Sequence, residues 1–143
     1  MSAKVRVFAR ADLHDAIGSI LPTASFADLA KRGSLLEAVA TGEQVVGIVD
    51  GAFARGLSIT NAEIYQAIQC GLTVLGCNGI GALRAVELQH LGMIGVGAAF
   101  QRALRSSRFE DQVIASETSR RQDALAMAKR IATILAKAER QRH

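Results

Sequence analysis

Residues 72–97, LTVLGCNGIGALRAVELQHLGMIGVG, are the segment that most constrains the fold of this chain. Its first four residues are apolar and partly β-branched, which favours a buried strand. The sequence 76–81, Gly-Cys-Asn-Gly-Ile-Gly, predicts a tight turn, because glycine lacks a Cβ and tolerates positive φ. A helix is predicted from Ala82, and Gly92 is placed to end it. Strand, turn and helix in this order predict a site at the carboxyl end of a parallel strand.

Strand and helix patterns alternate along the rest of the chain. Apolar runs predict strands at residues 4–8, 24–27, 44–49 and 93–96, with an edge strand at 112–115. Helix starts are indicated by Asp12 as an N-cap and by capping boxes that pair Ser34 with Glu37, Thr60 with Glu63, and Ser119 with Gln122. A further helix is predicted over residues 98–108. The alternation predicts one α/β domain over residues 1–143, a three-layer Rossmann- or flavodoxin-like sandwich with a mostly parallel sheet.

Within this domain we expect a core over residues 4–117 and a long, basic, amphipathic helix over residues 119–140. The apolar stripe of that helix needs to cover either the sheet or another subunit. Residues 119–143 hold 7 Lys/Arg against 2 Asp/Glu, whereas residues 1–118 hold 10 against 11. Because no aromatic stacking set and no recognised nucleic-acid motif accompany this charge, a solvated face or an acidic partner is favoured over nucleic acid.

Composition predicts a soluble, cytoplasmic protein. No apolar signal-peptide region follows Met1, and charged residues interrupt the most apolar segment, so no membrane span is predicted. Cys70 and Cys77 make no disulfide framework, which favours a reducing compartment. The three histidines are scattered without metal-ligand spacing, and neither a metal site nor an intrinsic cofactor is predicted.

The glycine turn does not match a known nucleotide motif. Its spacing differs from G-x-G-x-x-G, and it lacks the Gly-Lys-Ser/Thr ending of a P-loop. Anion binding by the helix N–H groups stays open, through Asn78, Gly79, Ile80 and Gly81. The turn has the spacing of a nucleophile elbow, but its nucleophile position is Gly79, which has no side chain. Cys77 is a candidate thiol nucleophile, although no histidine is close in sequence to activate it.

Charged residues near this turn supply the other candidates. Asp50 and Gly51 follow the predicted strand 44–49, where parallel sheets keep functional groups, although Asp-Gly is also ordinary turn chemistry. Arg84 and Glu87 are three residues apart on one helix face, so Arg84 either binds an anion or pairs with Glu87. We expect Asp50 and Arg84 to face the same crevice.

Several of these segments resemble the TfuA-like core domain. The likeness is carried by Val-Gly-Ile-Val-Asp-Gly at 46–51, Glu63, Gly-Ala-Leu-Arg-Ala at 81–85, Glu-Leu at 87–88, Gly-Met at 92–93, Gly-Val-Gly at 95–97, Ala-Lys-Arg-Gly at 30–33, and Glu-Asp at 110–111 before Val113. It covers most of residues 4–115. The block at 81–85, combined with the upstream Val-Asp-Gly, is more specific than a lone glycine motif.

The resemblance implies a role beside a YcaO-type enzyme, which uses ATP to activate peptide backbone amides. The partner, with ATP and Mg²⁺ bound to it, would phosphorylate the amide oxygen, while the TfuA-like protein would deliver sulfur, activate the partner or act as a scaffold. The implied product is a thioamide or a related sulfur-containing group in a ribosomally synthesised peptide or a protein substrate. The implied partners are the YcaO-type protein, that substrate and a sulfur donor protein.

The chain also departs from the family pattern. Residues 79–81 are Gly-Ile-Gly where the family usually has Ser-Met-Gly, and Asn61 stands where it usually has His. Gln112 and Glu117 replace a usual Glu and His, and residues 9–11 read Ala-Arg-Ala instead of Gly-Pro-Ser. If the family's Ser and His form a hydrolytic or acyl-transfer pair, this member has lost both and is a binding or scaffolding subunit.

Both lines of reasoning converge on one predicted site. The catalytic candidates are Asp50, Cys77, Arg84 and Glu87, and the substrate- or anion-binding candidates are Gly51, Glu63, Asn78, Gly79, Ile80 and Gly81. Two other classes of function remain open. One is a small anion- or nucleotide-binding regulatory domain that uses the same crevice without a peptide-modifying partner. The other is a homodimer module built on the final helix.

Overall fold

A computed structural model describes residues 3–53, 56–105 and 119–141. Its five strands form one parallel sheet in the order β2-β1-β3-β4-β5. The strands are β1 (Val5–Phe8), β2 (Ser25–Ala27), β3 (Val45–Ile48), β4 (Thr73–Gly76) and β5 (Ile94–Gly95). The described helices are α1 (His14–Ile20), α2 (Ser34–Ala40), α3 (Asn61–Gln69), α4 (Gly79–Leu88), α5 (Ala98–Arg105) and α6 (Arg120–Gln141). The predicted α/β sandwich is confirmed, and the strand order is that of flavodoxin-like folds.

Helices cover both faces of the sheet, as expected for parallel strands. The central strand β3 is buried along its whole length, because successive side chains point into opposite cores. Val46 and Ile48 pack with residues of α2, α3, α4 and α5. Val45 packs on the other side, with residues of α1 and α6.

The stripe of the last helix covers the sheet of its own chain. Met127 and Ile131 of α6 are fully buried in the core that lies over β3. A Cβ on Gly47 of β3 would lie 2.5 Å from the Cε of Met127 and 3.1 Å from the Cδ1 of Ile131. Glycine at this position therefore lets α6 pack closely onto the central strand.

The strand order places a topological switch point between β1 and β3. From β1 the chain crosses to β2 on one side, then returns past β1 to β3 and continues through β4 to β5. The connections that leave the carboxyl ends of β1 and β3 therefore diverge, which opens a crevice in folds of this kind.

Two predicted N-caps are wrong, because the helical structure begins earlier than the capping pattern indicates. A 3₁₀ turn at Ala11–Leu13 precedes α1, so Asp12 lies within helical structure and is not the N-cap. At α2 the N-cap is Gly33, with φ of 93°, and the hydroxyl of Ser34 accepts a hydrogen bond from the backbone N–H of Lys31. In both cases the helical geometry begins before the first residue that the capping pattern indicates.

Other predicted boundaries agree with the structure. The hydroxyl of Thr60 caps α3 by accepting from the N–H of Glu63, and Gly92, with φ of 111°, ends the 3₁₀ turn Gln89–Leu91 that follows α4. The edge strand predicted at 112–115 and the end of the helix predicted at 98–108 lie outside the described residues. Within the described ranges, no helix is both long enough and apolar enough to cross a bilayer.

Candidate functional site

A crevice of about 280 Å³ opens at the switch point. Arg10 enters it from the end of β1, Asp50 and Gly51 from the end of β3, and Asn78 and Gly79 from the end of β4. The residues that the sequence analysis selected after β3 and after β4 therefore lie close together. They meet at one edge of the sheet because the carboxyl ends of parallel strands share that edge.

The carboxylate of Asp50 is held by two arginines. Its Oδ2 accepts from the backbone N–H of Arg10 at 2.8 Å and from Nη1 of Arg120 at 3.1 Å. The Nε of Arg10 lies 3.7 Å from its Oδ1. Arg120, at the start of α6, also pairs with Asp12 at 2.9 Å, so it joins the last helix to the loops after β1 and β3. Because Asp50 is only 8% exposed, these charge-assisted contacts replace the water it gives up.

The expectation that Arg84 faces Asp50 across the crevice is wrong. The Nε of Arg84 donates to the backbone carbonyl of Ile59 at 2.9 Å, and its Nη1 pairs with Glu87 at 2.9 Å. Ile59 belongs to the core beneath α3 and α4, and Arg84 is not among the residues that line the crevice. The intrahelical pair that sequence reasoning left open is therefore the one observed, and Arg84 and Glu87 fasten α4 to the loop before α3.

The prediction that α4 begins at Ala82 is wrong. Only Cys77 and Asn78 separate β4 from α4, and the helix begins at Gly79. Close packing explains two of the glycines. A Cβ on Gly76 would lie 2.3 Å from the carbonyl oxygen of Gly81, and one on Gly81 would lie 2.6 Å from the carbonyl oxygen of Ile48. Gly81 was expected to bind substrate or an anion, and its observed contact is with the sheet.

Gly79 occupies the strained strand-to-helix position of a nucleophile elbow. Its φ is 46°, in the left-handed region that residues with a side chain rarely adopt. A Cβ there would lie 3.5 Å from the ring of Phe53, so the space is adequate and the backbone conformation is the obstacle. Ile80, also expected in the site, is 3% exposed.

Asp123 of α6 joins three chain segments near the ends of β4 and β5 by hydrogen bonds. The sequence analysis did not predict a role for this residue. This buried carboxylate accepts from Nδ2 of Asn78 at 3.0 Å, from the hydroxyl of Ser119 at 2.8 Å and from the backbone N–H of Ala98 at 2.8 Å. A Cβ on Gly97 would lie 2.6 Å from Oδ1 of Asp123, so glycine admits the carboxylate. Only the Gly-Val-Gly sequence before α5 hinted at such a close approach.

Cys77 is close enough to Asp50 and Asp123 for the charges of both carboxylates to act on its thiol. Its side chain is fully buried, and burial raises the pKa of the thiol well above its ordinary value of 9.0, with the charges of Asp123 and Asp50 adding to the shift. The protonated thiol is a poor nucleophile. The catalytic role considered for Cys77 therefore has no support in this geometry, and the residue packs as a small apolar group.

This environment makes a prediction about thiol reactivity. With a disulfide reagent such as DTNB near neutral pH, we expect exposed Cys70 to react quickly and Cys77 to react only after unfolding. The raised pKa also means that the folded state keeps a proton that the unfolded state loses above about pH 9, so this thiol lowers stability as the pH rises past that point. A Cys70→Ser variant that still reacts rapidly in the native state would contradict the burial of Cys77.

Glu63 is a structural residue of the helix layer. Its two carboxylate oxygens accept from the backbone N–H groups of Gly33 at 2.8 Å and Leu35 at 2.9 Å, and it is 6% exposed. It therefore stabilises the N-terminus of α2 from α3, through the favourable interaction of a carboxylate with a helix start. It is absent from the lining of the crevice.

A family model described as "TfuA-like protein" matches residues 50–142, nearly two thirds of the chain. No curated protein matches the chain. The match begins at Asp50 and runs through α6, so it includes the helix that supplies Arg120 and Asp123, which the resemblance at 4–115 left out. The chain belongs to the TfuA-like protein family.

Proposed function

We propose that this protein is a non-catalytic accessory subunit of a YcaO-type, ATP-dependent enzyme that modifies peptide backbones, with thioamide or related sulfur-group formation as the reaction it assists. Family membership supports the accessory role beside a YcaO-type protein. The observation that supports a binding role is the lining of the crevice. Among the described residues that line it, the one side chain that could act as a nucleophile is the carboxylate of Asp50, and Arg10 and Arg120 already hold that carboxylate.

The arrangement at the sheet edge fits a rigid docking site. Asp50 is held by Arg10 and Arg120. These contacts fix the loop after β1, the loop after β3 and the start of α6 relative to one another, and they pair the charge of Asp50. The side chain of Arg10 is 47% exposed at the mouth of the crevice, where it meets solvent and any bound partner. In this role ATP and Mg²⁺ belong to the YcaO-type partner, and the sulfur comes from a separate donor.

The turn after β4 disfavours the alternative of a nucleotide-binding regulatory domain. Its spacing does not match the dinucleotide-binding pattern G-x-G-x-x-G. The turn after β4 also carries no lysine to contact a phosphate. We therefore expect no thermal shift with ATP or inorganic phosphate, whereas a binding domain would gain about 2.7 kcal/mol of stability at a ligand concentration near 100 Kd.

Reconstitution tests the accessory role. The chain is combined with the YcaO-type protein of the same genome, ATP, Mg²⁺, sodium sulfide and the substrate peptide, and the peptide is followed by mass spectrometry for replacement of oxygen by sulfur. We expect modification to require the YcaO-type protein and to accelerate by about 10-fold or more, near 1.4 kcal/mol in the barrier, when this chain is added. A chain that neither binds the YcaO-type protein nor changes its rate contradicts the proposal.

A further inference from the structure

The last helix, α6, presents a basic face to solvent. Its apolar stripe packs on the sheet of its own chain through Met127 and Ile131, so the opposite face of the helix is turned outward. At about 100° per residue, Lys129 and Arg140 lie near the middle of that outward face, about three turns apart, and further cations flank them. The exposed cations of α6, which together form what we call the basic face, are Arg121, Lys129, Arg130, Lys137 and Arg140.

The charge of the basic face is not compensated within the fold. Elsewhere Arg6, Arg84 and Arg120 each pair with a carboxylate. Within residues 3–53, 56–105 and 119–141, no carboxylate lies within 4.0 Å of any cation of the basic face. Of the two acids in α6, Asp123 is buried and only Glu139 is exposed. Like charges on one helix face repel one another, so this face lowers the stability of the free protein.

The helix dipole accounts for only part of this charge. A cation in the last turn interacts favourably with the partial negative charge of a helix C-terminus, and Arg140 lies in the last turn of α6. Because that effect falls off within one turn, it does not explain Lys129 and Arg130, which lie about three turns before the end of the helix. A surface of one sign of charge is typical of a site that attracts an oppositely charged partner.

The basic face begins beside the crevice and extends past the packed part of the domain. Arg120, the first residue of α6, contacts Asp50, and Arg121 is the next residue along the helix. At the other end, residues 136–141 are all exposed, so about 9 Å of the helix projects beyond the core. A partner that docks along this face is therefore placed next to the mouth of the crevice.

We propose that the basic face of α6 docks an acidic surface of a protein partner, the YcaO-type enzyme. The acidic chemistry follows from charge complementarity, whereas the identity of the partner rests on the proposed function. Nucleic acid suits this face less well, because α6 carries no aromatic side chain on which a base could stack. A membrane surface suits it less well too, because the apolar stripe that would enter the lipid is buried against the sheet.

Charge reversal tests the docking face on the full chain. A double variant, Lys129→Glu with Lys137→Glu, is compared with the wild type for binding to the YcaO-type protein of the same genome, by biolayer interferometry at low and at physiological salt. We expect the variant to bind about 10-fold or more weakly at low salt, mainly through slower association, and the wild-type affinity to fall as salt rises. The neutral pair, Lys129→Gln with Lys137→Gln, should lie between the two, and it replaces the reversed pair if circular dichroism shows that reversal unfolds the chain.

The matched control is Lys31→Glu with Arg32→Glu, which reverses two exposed cations before α2, on the opposite side of the sheet from α6. It changes the net charge by the same amount, and we expect it to bind as the wild type does. Equal losses in the two reversed pairs, or no loss in the α6 pair, overturn the docking face. Tighter binding of the wild type to a short DNA duplex than to the YcaO-type protein overturns it as well, in favour of nucleic acid.

The reconstitution described above separates this docking face from the proposed function. If the wild type accelerates peptide modification and the α6 pair accelerates it equally at low salt, the docking face is wrong and the accessory role stands. If the wild type neither binds the YcaO-type protein nor changes its rate, both are wrong.

Discussion

Replacing Asp123 by alanine is expected to lower the free energy of unfolding by about 4 kcal/mol, the largest effect of any single charge removal at this end of the sheet. The side chain is 2% exposed and accepts hydrogen bonds from Asn78, Ser119 and Ala98. Removing it takes away the carboxylate that accepts from these three donors and opens space behind Gly97. Urea unfolding followed by circular dichroism measures the loss.

The control for this substitution is Asp15→Ala, which removes an exposed aspartate from the first turn of α1. We expect that change to cost only a few tenths of a kcal/mol. Asp123→Asn should fall between the two, because its one amide oxygen still accepts while its amide nitrogen opposes that of Asn78. A loss below about 1 kcal/mol for Asp123→Ala would show that these hydrogen bonds do not hold the edge together.

Gly76→Ala is expected to cost about 3 kcal/mol, although it adds a single methyl group. The new Cβ would lie 2.3 Å from the carbonyl oxygen and 2.7 Å from the carbonyl carbon of Gly81, both of which belong to the backbone of α4. A helix backbone cannot turn aside as a flexible side chain can, so α4 must move away from the sheet. The shift would also distort the start of α4, where Gly79 lines the crevice.

The matched control for Gly76→Ala is Gly18→Ala in α1. There the nearest atoms to the new Cβ are ring carbons of Phe26 at 3.8 Å, an ordinary contact. Because alanine favours a helix over glycine, this change is expected to stabilise the protein by about 0.5–1 kcal/mol. Equal stability of the two variants in thermal or urea unfolding would contradict the close packing of β4 and α4.

The fold could be predicted because its signals are local. The apolar runs of β1, β3 and β4, together with the glycine turn after β4, are readable within a few residues, and parallel strands must end at a common edge. The position of Asp50 in the crevice follows from that rule alone. The packing partner of the long apolar stripe of α6 could not be predicted from the sequence. Helical periodicity shows that one face of the helix is buried, but it does not show which surface covers that face.

The charged partners could not be predicted, because they are distant in sequence. Arg120 is 70 residues from Asp50, and Asp123 is 45 residues from Asn78. No local spacing connects such pairs. Arg84 was assigned to the crevice from its nearness to the glycine turn, but the direction of a helical side chain depends on where the helix begins. Because α4 begins at Gly79 and packs beside α3, Arg84 reaches Ile59 instead.

The backbone conformation at residue 79 has a physical consequence. The backbone there has φ of 46°, which glycine adopts without cost and serine does not. Gly79 therefore keeps the elbow geometry while lacking the nucleophile. Together with the raised pKa of Cys77, this supports the proposed binding role.

Turnover by the isolated chain tests the accessory role most directly. The protein is incubated without any partner, first with a peptide thiocarboxylate and then with the substrate peptide, ATP, Mg²⁺ and sodium sulfide, and the products are followed by mass spectrometry. We predict no conversion above the uncatalysed rate in either mixture, and conversion of the peptide once the YcaO-type protein is added. Hydrolysis of the thiocarboxylate or modification of the peptide by this chain alone would contradict a purely accessory function.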